Sequence, residues 1–178
     1  GCGTGSLSFE LARRVEIASL DALALCEAYV DRARAINDDP RLRFWCADAS
    51  SLAFPDAHFD AAISLLALHQ MSEPERAIAE MVRVVRPGGM ISAAVWDVRG
   101  GFPHARLFLD TAAALDPAAV AVRDAYMRAP LTGAGKMAQA FHAAGIEAVE
   151  RATISIRFEF ADFEDYWAPF LTGEGVMG

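Results

Sequence analysis

Four things are scarce in this 178-residue chain: cysteine pairs, metal-ligand clusters, long apolar runs and net positive charge. Its 3 cysteines, Cys2, Cys26 and Cys46, are unevenly placed. That argues against a disulfide framework and for a reducing, cytoplasmic setting. They lack metal-ligand spacing and the 4 histidines are scattered, so no metal site is expected. No apolar run reaches the roughly 20 residues of a membrane helix, and no secretory signal precedes the first motif, so no membrane association is expected. The formal net charge is −8 with no basic face in view, which speaks against a nucleic-acid partner. Internal repeats and low-complexity stretches are absent. The 54% hydrophobic and 22% charged fractions are those of one soluble globular domain, long enough to bury a sizeable core.

What is present starts at the first residue. Gly1-Cys2-Gly3-Thr4-Gly5 runs straight into the helix-like Ser6-Leu7-Ser8-Phe9-Glu10-Leu11-Ala12. Three alternate glycines make a turn almost free of side chains, which a ligand can approach at the backbone. The helix that follows directs its unpaired N–H groups at the same space. The dinucleotide fingerprint needs G-x-G-x-x-G. Ser6 stands where its third glycine would be, so a nucleotide-dependent oxidoreductase is only an alternative.

Along the chain, Ser6 to Arg14 reads as a helix and Val15 to Asp21 alternates like a short strand. Asp21 lies sixteen positions beyond Gly5, near the roughly 20 at which a ribose-binding acid is expected. A register without an insertion would instead put Ala24 there. Glu27 to Ile36 reads as a helix closed by Asn37-Asp38-Asp39-Pro40, and Arg41 to Cys46 as a strand leading into Ala47-Asp48-Ala49. Ala61 to Leu66 has the look of a buried parallel strand. A Ser-x-x-Glu capping box, Ser72 to Glu75, opens the next helix, which Arg86-Pro87-Gly88-Gly89 ends in a turn. Met90 to Val95 is a further strand, running to Trp96-Asp97. Two helices follow, one after Gly100-Gly101-Phe102-Pro103 and one after Asp116-Pro117, reaching about Arg128. Lys136 to Ala144 is a helix stopped by Gly145. Ile146 to Phe158 alternates as a strand, and an aromatic tail runs from Phe160 to Phe170.

The G-x-G-x-G loop, the strand-end acid, the Ala47-Asp48-Ala49 segment with Leu52-Ala53-Phe54-Pro55-Asp56-Ala57-His58-Phe59-Asp60, and the Arg86-Pro87-Gly88-Gly89 turn come in one order. That order resembles the class I S-adenosylmethionine-dependent methyltransferases, in particular the small-molecule enzymes often called type 11, over nearly the whole chain. The resemblance implies an α/β, Rossmann-like fold: a mostly parallel twisted sheet with helices on both faces and an inserted helical cap. It also implies a first strand before Gly1 and a last strand after the tail, neither of which the sequence contains. One domain is expected. Residues 1–98 would form the cofactor-binding core, 99–130 the inserted cap, 131–160 the rest of the core and 161–178 a tail over the acceptor.

The implied cofactor is S-adenosylmethionine and the implied partner a small-molecule methyl acceptor. Gly1, Cys2, Gly3, Thr4 and Gly5 would cradle the cofactor, and Asp21, with Ala22 beside it, would take the ribose. Asp48 and Ala49 would take the adenine, and Leu65 would sit at the end of its strand on the same edge. A departure goes with this: the Cys26-Glu27-Ala28-Tyr29 helix start comes about three residues late. Methyl transfer is an in-line displacement that needs alignment and desolvation. A hydroxyl acceptor also needs a base, for which His69 and Asp97 stand after the right strands, with His104 next. Gln70 occupies the second place of a His-His pair found in some relatives, and the bland alternative for His69 is a satisfied buried histidine. A binder of the cofactor without transferase activity is the other alternative. Gly100 to Arg128 and Asp162 to Gly178 are expected to form a mobile cap.

Overall fold

The computed structural model describes residues 1–168 and 171, with only the backbone of His104. The end of the expected aromatic tail at Phe170, and the expected cap from residue 172 on, lie outside the described residues. The described chain alternates α1 (Ser6–Arg14), β1 (Leu20–Ala24), α2 (Glu27–Ile36), β2 (Leu42–Cys46) and β3 (Phe59–Leu65). A short 3-10 turn, Leu68–Gln70, then leads to α3 (Pro74–Val84), β4 (Val85–Ala94), α4 (Pro103–Leu115), α5 (Ala119–Met127), α6 (Lys136–Ala143) and α7 (Phe163–Trp167).

Two compact units emerge. The first holds Gly1–Trp96 and Pro130–Val149; the second holds Asp97–Ala129 and the described residues from Glu150 on. In the first, the strands form two parallel pairs, each bridged by one helix. β1 pairs with β2 from Leu20↔Leu42 to Ala24↔Cys46, and α2 supplies the crossover. Leu42 and Phe44 alternate inward while Arg43 and Trp45 stay outside. The inward residues meet Ala22, Ala24, Val30 and Ala33 in one core, which Phe9 of α1 flanks. β3 pairs with β4 in parallel, and α3 buries Ala77, Ile78, Met81 and Val84 along one helical stripe. Leu68, Leu131 and Phe141 complete this second core. Phe141 reaches it from α6, whose end is closed by Gly145 at φ 89° and by the Ile146 N–H donating to the Phe141 carbonyl at 3.0 Å.

Several sequence expectations are corrected. The first strand begins at Leu20 rather than Val15, because ladder pairing starts only where β2 offers Leu42; Val15 is 51% exposed. Asp21 therefore sits near the start of β1 and not at its end. The capping box does not form: the first cap of α3 is Glu73, whose carboxylate accepts from Arg76 at 2.8 Å, and no side chain caps the helix. Arg86 to Gly89 is not a turn before the strand but a bulge inside it. Phe59 pairs with Val85 and Ala61 already with Met90, so the four intervening residues loop out. Gly89 is required there, since a Cβ would come within 2.6 Å of the Asp60 carbonyl oxygen. Ile146 to Phe158 carries no ladder, and its Ile154 is 82% exposed. Alternation alone makes a strand only where another backbone lies alongside, and none among the described residues does.

In the second unit α4 and α5 pack on each other. Arg99 donates to the Met127 carbonyl at 3.1 Å and Arg106 to the Arg99 carbonyl at 2.9 Å. α5 begins past the expected Asp116-Pro117 start, but Asp116 still accepts the Ala118 N–H at 2.8 Å. Asp162 caps α7 by accepting from the Asp165 N–H at 2.9 Å. Aromatic pairs link Phe108 with Trp167 and Phe163 with Trp167, at centroid distances of 5.5 and 5.8 Å.

Candidate active site

The glycine turn is fastened to β1 by its backbone. The Cys2 N–H donates to the Leu23 carbonyl at 2.7 Å, and the Gly5 N–H donates to the Cys2 carbonyl at 3.0 Å. Gly5 then caps α1 at φ 94°, a left-handed conformation. A Cβ there would lie 2.7 Å from the Phe9 ring and 3.1 Å from Phe44. Only glycine lets α1 start this close to the core. The first N–H groups of α1 have no intrahelical acceptor and face outward from the turn, where they favour an anion.

Against this turn lies a cavity of about 560 Å³, lined by Gly1 to Thr4 with Ser6 and Leu7, by Ala24 to Cys26 with Tyr29, and by Leu65 to Ala67 with Gln70. That volume is in the range of small-molecule and cofactor sites. The cavity sits at the carboxyl ends of β1 and β3, where ligands bind in parallel α/β sheets. Of the expected cofactor residues, Gly1, Cys2, Gly3, Thr4 and Leu65 line it, and Gly5 shapes the turn behind it.

Asp21 and Ala22 do not line it. The Asp21 side chain is 2% exposed and both its oxygens are taken, by Arg43 at 2.6 Å and by the Trp45 indole N–H at 2.8 Å. Ala22 is buried in the core of β1. Asp21 thus stands near the start of β1 and away from the cavity, and the end of the strand is Ala24. Asp48 and Ala49 follow β2 outside the cavity wall. One Asp48 oxygen accepts the Ser50 N–H at 2.8 Å, and this backbone bond, with the Ser50 hydroxyl, holds the carboxyl below its ordinary range. Ala49 packs against the second core.

His69 is buried in the 3-10 turn after β3, its Nδ1 without a hydrogen-bond partner among the described residues, and burial pushes its pKa below the ordinary 6.5. Burial thus favours the neutral imidazole, and His69 does not line the cavity. Asp97 belongs to the second unit and accepts the Gly100 N–H at 2.9 Å. The side chain of His104 lies outside the described residues. Sequence reasoning missed Leu25, Cys26, Tyr29 and Gln70 as wall residues. The uninterrupted register, with Ala24 at the strand end, was the signal that finds the first three.

The loop between β2 and β3 is held by Arg83 of α3. Its guanidinium donates to Glu80, to Asp56 and to the carbonyls of Leu52 and Phe54, all at 2.7 to 2.9 Å. Glu80 also accepts the Leu52 N–H at 2.7 Å. The hydrogen bonds from Arg83, helped by the Leu52 N–H, bring the Glu80 carboxyl down to about 2. Among the described residues no group of three or more His, Cys, Asp or Glu is placed to hold a metal, and no helix is long and apolar enough to cross a membrane.

Known proteins resemble this arrangement. The 27-O-demethylrifamycin SV methyltransferase of Amycolatopsis mediterranei is 34% identical over 96 residues, covering 52% of this chain and 35% of that protein. A phthiotriol/phenolphthiotriol dimycocerosates methyltransferase of Mycobacterium tuberculosis is 36% identical over 88 residues, covering 49% and 33%. The chain thus spans about a third of the length of these two curated relatives. A chain from the complex of the Haloferax volcanii Trm112 methyltransferase activator with a methyltransferase shares the fold, with a TM-score of 0.63 at 23% identity, covering 82% of this chain and 57% of that one. A Pyrococcus horikoshii protein of known structure gives a TM-score of 0.52 at 26% identity, covering 57% and 49%. These neighbours agree with a Rossmann-like parallel sheet. Residues 1–93, more than half of the chain, match the family profile described as a methyltransferase domain. The chain belongs to the S-adenosylmethionine-dependent methyltransferase family.

Proposed function

We propose that this chain takes part in methyl transfer from S-adenosylmethionine to a small-molecule acceptor, at an oxygen or a carbon. The observation that carries the reading is the cavity between the glycine turn and the ends of β1 and β3. The turn fits an amino-acid carboxylate: Gly1 and Gly3 leave its backbone open to approach, and the N-terminus of α1 opens on the same space. S-adenosylmethionine supplies, when bound, a methyl group on a cationic sulfur that a nucleophile displaces in line. The chain's own work is to align the reactants and exclude water. Gly1 to Thr4 and the start of α1 hold the amino-acid end, and Leu65 and Ala67 close the wall behind. Asp48, two residues past β2 and outside the cavity wall, would be the adenine-side acid.

For a hydroxyl acceptor, His69 would be the base, although its ring is buried and does not line the cavity as it stands. Asp97 would assist from its place just after β4 in sequence. Relatives that act on a rifamycin and on phthiotriol dimycocerosates support a small-molecule acceptor. Calorimetric titration of the chain with S-adenosylhomocysteine and with NAD tests the cofactor. Heat with the first and none with the second is expected, together with a Tm that rises with ligand concentration. Binding of NAD alone would replace this reading by the oxidoreductase one.

A further inference from the structure

The end of β1 poses a chemical mismatch. Ala24, Leu25, Cys26 and Tyr29 close the cavity there, and none of the residues lining it carries a carboxylate, a guanidinium or a lysine ammonium. A ribose offers two adjacent hydroxyl donors, and an acid on the strand after the glycine turn answers them in sheets of this kind. The last ladder position of β1 is Ala24↔Cys46, so a methyl group stands where that acid would be.

The carboxylates near by in sequence do not replace it. Asp21 lies earlier on the strand and is consumed by Arg43 and Trp45. Glu27 opens α2 in an exposed position and is not part of the wall. Asp31 pairs with Arg34 at 3.1 Å on the exposed side of α2. What remains at this wall is apolar or weakly polar: alkyl groups, a phenol ring and the Cys26 thiol, a poor hydrogen-bonding group.

We propose that this cavity binds its nucleoside without reading the ribose hydroxyls, and that Ala24 is the residue responsible. The inference rests on the S-adenosyl reading above and concerns which part of that ligand is recognised. Affinity then comes from the amino-acid end at the glycine turn and from apolar contact along Leu25 and Tyr29. Ligands altered at the 2′ and 3′ positions are accepted as readily as the parent.

The test is titration calorimetry of the chain with S-adenosylhomocysteine and with its 2′,3′-dideoxy analogue. In the wild type the two dissociation constants are expected to agree within about threefold. In Ala24→Asp the parent is expected to bind at least about tenfold tighter than the analogue, the effect of a charge-assisted hydrogen bond gained. A wild type that loses about tenfold or more on the dideoxy ligand overturns the proposal and leaves the cofactor reading standing. A folded Ala24→Asp that binds both ligands without discrimination overturns it as well. If the variant does not fold, the wild-type ratio decides alone. If the wild type binds neither ligand, the S-adenosyl reading itself falls and this inference falls with it.

Discussion

The two units of this chain hold themselves together by different means. In the first, strand ladders and helix stripes put large side chains fully inside: Val30, Leu68 and Ile78 are at most 1% exposed. In the second, α4 and α5 bury few such residues, and Leu115 and Ile154 are 81% and 82% exposed. Its cohesion comes from arginines donating to carbonyls, from helix caps and from aromatic pairs. The first unit also contains the whole family-matched stretch, residues 1–93, and the cavity. A packed frame with a backbone-built cradle is what a common cofactor needs. A looser helical unit is what a variable acceptor would need.

Four measurements would sharpen or break this contrast. The largest effect is expected in the cores. Ile78→Ala, which opens a hole at a fully buried site, should cost about 2–5 kcal/mol in denaturant unfolding. Leu115→Ala should stay within about 0.5 kcal/mol; equal losses would abolish the distinction. Next comes Gly5→Ala, which forces a Cβ into Phe9 at a left-handed backbone. It should cost about 1–3 kcal/mol and also weaken S-adenosylhomocysteine binding, because the turn it distorts forms the cavity floor.

A smaller, pH-dependent effect belongs to Glu80. Its folded-state pKa, about 2, lies below the ordinary 4.5, so its stabilisation is fully present above pH 4.5 and fades as the pH falls toward 2. Glu80→Gln should flatten the stability profile over that window and change little above it; an unaltered profile would mean the Arg83 staple is not coupled to folding. The slightest signal is dynamic. Amides of α4, α5 and α7 should exchange faster than those of β1 to β4, and should gain protection once cofactor and acceptor are both present. Uniformly slow exchange in the free chain would make the second unit fixed structure and move the acceptor site elsewhere.

The fold was legible wherever residue type alone carries the geometry. α1 and α2 begin and end where the sequence reading put them, since the glycine turn, Cys26-Glu27 and Asn37-Asp38-Asp39-Pro40 mark their limits. The cradle was legible for the same reason. Alternation misled in two places. Val15 to Ser19 and Ile146 to Phe158 have the period of strands, but period is local and pairing is not. The first error carried Asp21 to the cavity edge on paper, when its carboxylate belongs to Arg43 and Trp45 across the strand pair. Tyr29 and Gln70 were missed because a helix face or a 3-10 turn meets a cavity only after the register of the strands before it is known.

The bridging of each strand pair by its own helix has a consequence for local opening. β1, α2 and β2 close within Leu20–Cys46, and β3, α3 and β4 within Phe59–Ala94, with no ladder joining the pairs among the described residues. Each closure runs through a single crossover helix, so the strands that pair are neighbours in the order of elements. Within each pair, the strands and their crossover helix should therefore open together under native conditions. The Arg83 staple draws the connecting loop toward the second pair, so residues 52 to 57 should open together with β3 and β4.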